Sequence, residues 1–343
     1  MHKILSRVAI CFIFMIGISK IVCGKEPAVW EEFKSNFVSQ DGRVIDYYNG
    51  HVSHSEGQGY GMLLAVKYDD KAVFDKLWQW TQDNIAVRND HLFAWKWGER
   101  TSGSWGVVDY NNATDGDILI AYALLRADEQ WPDNKYKNTA LRIIGSVREN
   151  LAVEWNGYQF LLPGYHGFIR DNRFILNPSY IIFSAYRTFA KIDNEVFWQK
   201  VYKDSMLLIA KSCFGSLKMP ADWVMLDGKN ISLCDERKPY FGYEAIRVFL
   251  YLSWEENPQF PEGLEKMLDM YNKLGFIPLW ADLANDSISL QNAPPGFYAV
   301  FARAAEKAGE KTLSKKLFKE ASERLMYDKK DYYSFCLYLL AEE

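Results

Sequence analysis

The chain has 343 residues, of which 49% are hydrophobic and 16% aromatic, with 12 Trp, 21 Tyr and 21 Phe. That length suits one large domain or two ordinary ones, and that apolar content supports a large core. Forty basic residues stand against 44 acidic ones, a net charge of −4, and no basic stripe is present to neutralise phosphates, so nucleic acid is excluded as a partner.

The N-terminus reads as a secretory signal. Lys3 and Arg7 precede Val8–Ile18, an apolar run of about eleven residues that is too short to span a bilayer. Val22 and Gly24 suit small-residue cleavage positions, which predicts a signal over 1–24, a mature start near Lys25 and a periplasmic or secreted location. An uncleaved anchor is the rival reading. Cleavage removes three cations, Lys3, Arg7 and Lys20, and takes the charge from −4 to −7. No later segment is apolar enough to cross a membrane. Cys11 and Cys23 fall in the signal, leaving Cys213, Cys234 and Cys336. A Cys213–Cys234 disulfide and free buried thiols are both open. Neither the cysteines nor His51, His54, His91 and His166 have metal-ligand spacing, so no metal and no cofactor are expected.

From residue 27 onward helical periodicity dominates and predicts about twelve helices. They fall near 27–38, 59–70, 72–86, 117–128, 136–152, 178–191, 194–212, 243–254, 262–273, 295–307, 311–325 and 331–341. Longer polar, aromatic and glycine-rich loops occupy 39–57, 88–114, 154–177, 215–242 and 275–294. Short turns alternate with these long loops. That alternation fits helical hairpins set in a ring with the long loops gathered on one face, where function concentrates. No Pro/Gly/Ser-rich linker interrupts 25–343, which reads as one domain.

Two acidic sites stand at the heads of helices apolar enough to be buried. The first is Ser53-His54-Ser55-Glu56-Gly57-Gln58-Gly59-Tyr60-Gly61-Met62. Ser53 and Glu56 have capping-box spacing, which explains the acid but not the three glycines. Glycines there suit something that approaches the backbone closely. A helix start stabilises a charged carboxylate, so a Glu56 that must hold a proton needs apolar cover or a second acid beside it. The second site is Ala113-Thr114-Asp115-Gly116-Asp117, opening an apolar helix that closes at Trp131. Asp115 reads as that second acid or as a helix cap, and Asp117 as a first-turn acid facing the dipole. Buried carboxylates are costly without partners or a task, and a pair of them suggests glycosidic bond cleavage. Glu244 and Arg247, three apart, read as a helical ion pair. Trp95, Trp97 and Trp105 lie in the long loop before Asp115 and suit stacking on sugar rings.

These segments resemble glycoside hydrolase family 8, also called cellulase family D. Ala113 through Trp131 matches that family's signature, and His54 to Met62 looks like its acid-bearing segment. Further likeness lies at Asn177-Pro178-Ser179-Tyr180, Asp222-Trp223-Val224, Tyr243 to Arg247 and Tyr332-Tyr333-Ser334. Size, signal and ending are most similar to the periplasmic endoglucanases of bacterial cellulose-synthesis operons. The resemblance implies an all-α (α/α)6 barrel and endo-hydrolysis of β-1,4-glucan with inversion. It implies Glu56 as proton donor, Asp115 as either a nucleophile or the group gripping the sugar at the cleavage point, and Arg247 and Tyr180 near that subsite; an inverting enzyme needs no covalent nucleophile, which favours the gripping role. A functional link to cellulose synthesis follows from the same likeness.

One position departs from the family. The base is usually Asp in a Tyr-Asp-Ala-x-Arg segment, and this chain has Glu244. The extra methylene moves the carboxylate by about 1 Å, a displacement that can cost about a hundredfold in rate. Either Glu244 still reaches the water, or Asp109 or Asp222 serves instead, or activity is low. The resulting expectation is an endo-β-1,4-glucanase with Glu56, Asp115 and Glu244 as its acids and Trp95, Trp105, Tyr180 and Arg247 on the sugar. The alternatives are a chitosanase or xylanase of the same fold, and a glycan-binding protein weakened at position 244.

Overall fold

Alternate helices of this chain are buried over most of their surface, while the helices between them are buried along one stripe. In the computed structural model, which describes residues 28–342, twelve α-helices follow in order. They are α1 (Ala28–Phe37), α2 (Ser55–Lys67), α3 (Lys71–Asn84), α4 (Thr114–Gln130), α5 (Asn134–Asn150), α6 (Phe183–Ala190), α7 (Glu195–Lys211), α8 (Ile246–Ser253), α9 (Gly263–Leu274), α10 (Pro295–Lys307), α11 (Lys311–Leu325) and α12 (Tyr332–Ala341). Every residue of α8 is buried, as is nearly every residue of α2 and α12. By contrast α3 buries Phe74, Leu77, Trp80 and Thr81 and turns its charges outward. A helix apolar all round belongs inside, and an amphipathic one covers it.

The even-numbered helices form an inner ring in which each touches the next, and α12 closes back onto α2. The odd-numbered helices pack outside: α3 on α2, α5 on α4, α7 on α6, α9 and α11 on α10, and α1 on α12. This is the expected (α/α)6 barrel. One apolar core runs through it, with Trp30, Trp198, Tyr186 and Tyr251 among its largest fully buried side chains.

Several outer helices, and α12, start at a cap: Asp70 accepts from Val73 N–H, Asn194 from Phe197 N–H and Asp331 from Ser334 N–H. Such caps contribute about 1 kcal/mol each. At the far end of the ring Lys67 Nζ donates to the carbonyls of Leu339 and Glu342, tying α2 to the last turn of α12.

The structure departs from the sequence reading in three places. The long loops carry short antiparallel strands. Ser53–His54 pairs with Lys96–Glu99, which pairs with Trp105–Asp109; a four-stranded sheet joins 169–176 to 224–233. Strands this brief carry too little period-2 pattern to read against aromatic loop sequence. The predicted helix 178–191 is split: Pro178–Tyr180 is one 3-10 turn capped by Asn177, and extended backbone at Ile181 and Ile182 separates it from α6. The predicted helix 243–254 begins only at Ile246, leaving Glu244 in the preceding turn. The three described cysteines, Cys213, Cys234 and Cys336, are free thiols. The predicted signal over 1–24 lies outside the described residues.

Candidate active site

At one end of the ring α2, α4 and α8 all begin, and none is capped by its own N-cap side chain. The unsatisfied N–H groups and the dipole of such starts favour carboxylates. Glu56 and Asp115 each take the second position of their helix. The Ser53–Glu56 capping box is not formed, because α2 begins at Ser55 and Ser53 Oγ donates to the Val44 carbonyl instead. Nor is Asp115 the helix cap, which falls at Ala113; Asp115 Oδ1 accepts from Gly116 N–H at 2.8 Å.

The two starts nearly touch. A Cβ on Gly116 would lie 2.2 Å from Ser55 Oγ and 2.9 Å from the Glu56 nitrogen, and one on Gly59 would lie 2.6 Å from Leu119 Cβ. Only glycine allows this approach. What comes close to these glycines is therefore the neighbouring helix, and the crossing sets Glu56 beside Asp115.

Arg247, 3% exposed in the first turn of α8, gathers the acids. Its Nη1 donates to Asp115 Oδ2 at 2.8 Å and contacts Glu56 Oε1; its Nη2 donates to Ser179 Oγ at 2.9 Å and to Glu244 Oε2. The guanidinium lies over Tyr180, 5.4 Å from the ring centroid. Glu56 is held further by Tyr60, whose OH donates to Oε1 at 2.9 Å and lies 2.9 Å from Tyr251 OH. Asn177 Nδ2 donates to Glu244 Oε2 at 3.1 Å.

Burial pushes the Asp115 carboxyl well above the usual range, and the charges of Glu244 and Asp117 push it the same way. Burial also raises Glu244, against the bond from Asn177. One guanidinium does not neutralise three clustered carboxylates, so their charges oppose one another's ionisation. That is the condition for one acid to donate a proton while another stays a base.

These groups form the floor of a cavity of about 610 Å³ lined by Glu56, Trp95, Asp115, Tyr180, Glu244 and Arg247. Trp95 stacks on His54 with centroids 5.6 Å apart and planes at 8°. Burial lowers His54 to about 4, so the imidazole under Trp95 is neutral near pH 7. Trp105 stands apart from this lining: it is 45% exposed, beside Trp97 at 5.4 Å, with the Arg43 guanidinium 5.1 Å from its centroid. Asp109 is an exposed strand end and Asp222 is half-buried, and neither is among the residues lining the cavity. Asp117 is not facing the dipole alone; it accepts from Phe93 N–H and Asn112 Nδ2 and anchors the long loop.

A family model described as Glycosyl hydrolases family 8 matches residues 4–342. The chain belongs to this family. It is a glycoside hydrolase. The chain is 38% identical over 274 residues to an endoglucanase of Cellulomonas uda, covering 79% of this chain and 75% of that one. It is 36% identical over 275 residues to a probable endoglucanase of Novacetimonas hansenii, covering 79% and 80%. The solved endo-β-1,4-glucanase of Acetobacter xylinum superposes with a TM-score of 0.80 at 34% identity, covering 92% of this chain and 97% of that one.

Sequence reasoning passed over Asp46, Tyr332 and Tyr333, which line this family 8 cavity, and the buried pair Tyr60 and Tyr251 behind Glu56. Tyr60 alone carried a signal, since it stands four residues after Glu56 and so on the same helix face. Tyr332 and Tyr333 lay in a segment already similar to the family but without an assigned task.

Proposed function

We propose that this glycoside hydrolase is an endo-β-1,4-glucanase that inverts the anomeric centre. Glu56 protonates the leaving oxygen, Glu244 activates a water on the opposite face of the sugar, and Asp115 grips and distorts the ring at the cleavage point. Arg247 holds the three carboxylates in place, and Trp95 and Tyr180 offer ring faces to neighbouring glucose units. The observation that carries this reading is the convergence of Glu56, Asp115 and Glu244 on the two terminal nitrogens of Arg247 at the floor of an aromatic cavity. Glu56 and Glu244 contact different terminal nitrogens of Arg247, which supports separate roles for them as acid and base. The relatives named endoglucanases support glucan as the substrate.

On this reading the mature enzyme is one domain over 25–343 in the periplasm or outside the cell, as the signal-like run of Lys3 and Arg7 ahead of Val8–Ile18 supports. A task beside cellulose synthesis rests on the likeness of size and segments to endoglucanases of cellulose-synthesis operons.

The test is release of reducing ends from carboxymethyl cellulose by the mature protein, with Glu56→Gln, Asp115→Asn and Glu244→Gln alongside. General acid–base groups contribute about 10²–10⁴-fold, so Glu56→Gln and Glu244→Gln each fall by that much. Proton NMR of the first products shows the α-anomer. Turnover of chitosan or xylan but not of glucan overturns the substrate; tight binding without any product marks a glycan-binding protein.

A further inference from the structure

Asp222 opens the Asp222-Trp223-Val224 segment, and nothing so far gives it a task. Its Oδ1 accepts the Gly242 N–H at 2.9 Å and the Ala245 N–H at 2.8 Å. These two donors flank Glu244. α8 has no cap from its own N-cap residue, Ala245, so a carboxylate from a distant segment closes its open start. The tie runs both ways, because Asp222 N–H donates to the Tyr240 carbonyl at 2.7 Å. A Cβ on Gly242 would lie 3.1 Å from Asp222 Oδ2, so the turn is shaped to let the carboxylate press against its backbone. Asp222 itself does not line the cavity. Tyr333, whose OH donates to the Tyr243 carbonyl at 2.8 Å, braces the same turn from the cavity side.

We propose that Asp222 is a positioning residue: it fixes the Gly242–Ala245 turn and so aims the Glu244 carboxylate, setting turnover rather than substrate binding. The inference rests on the reading of Glu244 as the base. Glutamate has one more rotatable bond than the aspartate usual at this place, so its carboxylate is less well placed by its own backbone. A turn that shifts carries Glu244 away from the attacking water, and small misplacements at a base are costly.

The experiment measures kcat and KM on a soluble β-1,4-gluco-oligosaccharide for Asp222→Ala and Asp222→Asn, each also in the Glu244→Gln background. Asp222→Ala is expected to lower kcat at least tenfold with KM within twofold of wild type. Asp222→Asn keeps the shape and one acceptor oxygen, and falls between the two. In the Glu244→Gln background, Asp222→Ala changes the residual rate by less than twofold, because the group it aims is gone. An equal drop in both backgrounds, or a rise in KM at unchanged kcat, overturns the proposal. Where Asp222→Ala does not fold, Asp222→Asn with a wild-type melting temperature decides the matter alone. Wild-type kcat in both Asp222 variants with an inactive Glu244→Gln overturns the positioning and leaves the base intact; full activity in Glu244→Gln removes the base itself.

Discussion

Arg247 Nη1 stands 2.8 Å from Asp115 Oδ2, and both side chains are buried. The two are 132 residues apart in sequence, so this contact joins the start of α4 to the start of α8 across the ring. The same nitrogen touches Glu56, and the other terminal nitrogen touches Glu244. Arg247 is thus the counter-ion that permits three acids to share one floor.

Replacing it is therefore expected to cost both activity and stability. Arg247→Met keeps length and removes charge, leaving the three carboxyls to hold their protons more tightly, and kcat falls by about 10² or more as the base is lost. Breaking a buried pair costs about 3–5 kcal/mol when the remaining charge stays ionised. The folded carboxyls of the variant lie above their unfolded values, so the penalty is small at pH 5 and grows as pH rises toward 8. Urea unfolding at both pH values measures it; an equal loss at both sinks the counter-ion account.

Gly116 tests the crossing that sets Glu56 beside Asp115. A methyl at Gly116 would fall 2.2 Å from Ser55 Oγ and 2.8 Å from Ser55 Cβ. Overpacking of this kind costs about 1–3 kcal/mol, and the shift it forces moves Glu56. Gly116→Ala is expected to lower the melting temperature and to lower kcat by about 10². Gly145, in α5 with nothing within 4 Å of its notional Cβ, is the control: Gly145→Ala gains about 0.5–1 kcal/mol and leaves kcat unchanged.

Asp117 gives a pH signature. Burial raises its carboxyl from 3.8 to about 7, against the bonds from Asn112 and Phe93. A raised folded value means that the folded state binds the proton more tightly. That contribution is fully present below about pH 4 and is lost as pH rises through about 7. Asp117→Asn does not titrate and leaves one of two donors without an acceptor, at a cost of about 1–3 kcal/mol. The stability advantage of wild type over Asp117→Asn is therefore expected to shrink from pH 5 to pH 8. An advantage that widens over that range contradicts the burial argument.

The helices and the acids were legible to different degrees, for physical reasons. The outer helices were legible because their buried stripes repeat at the helical period, and inner ones such as α2 and α12 as apolar runs too long for strands. The signature around Asp115 and the segment around Glu56 marked two acids, and Arg247 came with the likeness at Tyr243–Arg247. Gly57, Gly59 and Gly61 marked a close approach to the backbone without saying what makes it. They face Tyr332, Leu119 and Val44 with Leu77, partners distant in sequence that no local pattern names. The capping box at Ser53 failed for a similar reason: Ser53 is taken into a strand, and its hydroxyl is claimed by Val44. Trp105 carried a stacking signal like that of Trp95, but the bulged hairpin pairing Lys96–Glu99 with Trp105–Asp109 places it beside Arg43 instead.

Glu244→Asp asks whether this chain has adapted to its longer acid. Glu244 sits in a turn, and its carboxylate spans from there to Arg247 Nη2 and Asn177 Nδ2. With 35% of the side chain exposed to the cavity, it has room for a water on its open side. An aspartate on the same backbone falls short by about 1 Å, loses Asn177 or Arg247, and withdraws from the water. If the turn held by Asp222 is set for glutamate, Glu244→Asp lowers kcat by about a hundredfold while KM changes little. A rise in kcat instead would show a backbone still placed for aspartate, with Glu244 a handicap on an otherwise intact site. Steady-state kinetics on a soluble β-1,4-gluco-oligosaccharide, with the Glu56→Gln variant as the inactive baseline, separates the two outcomes.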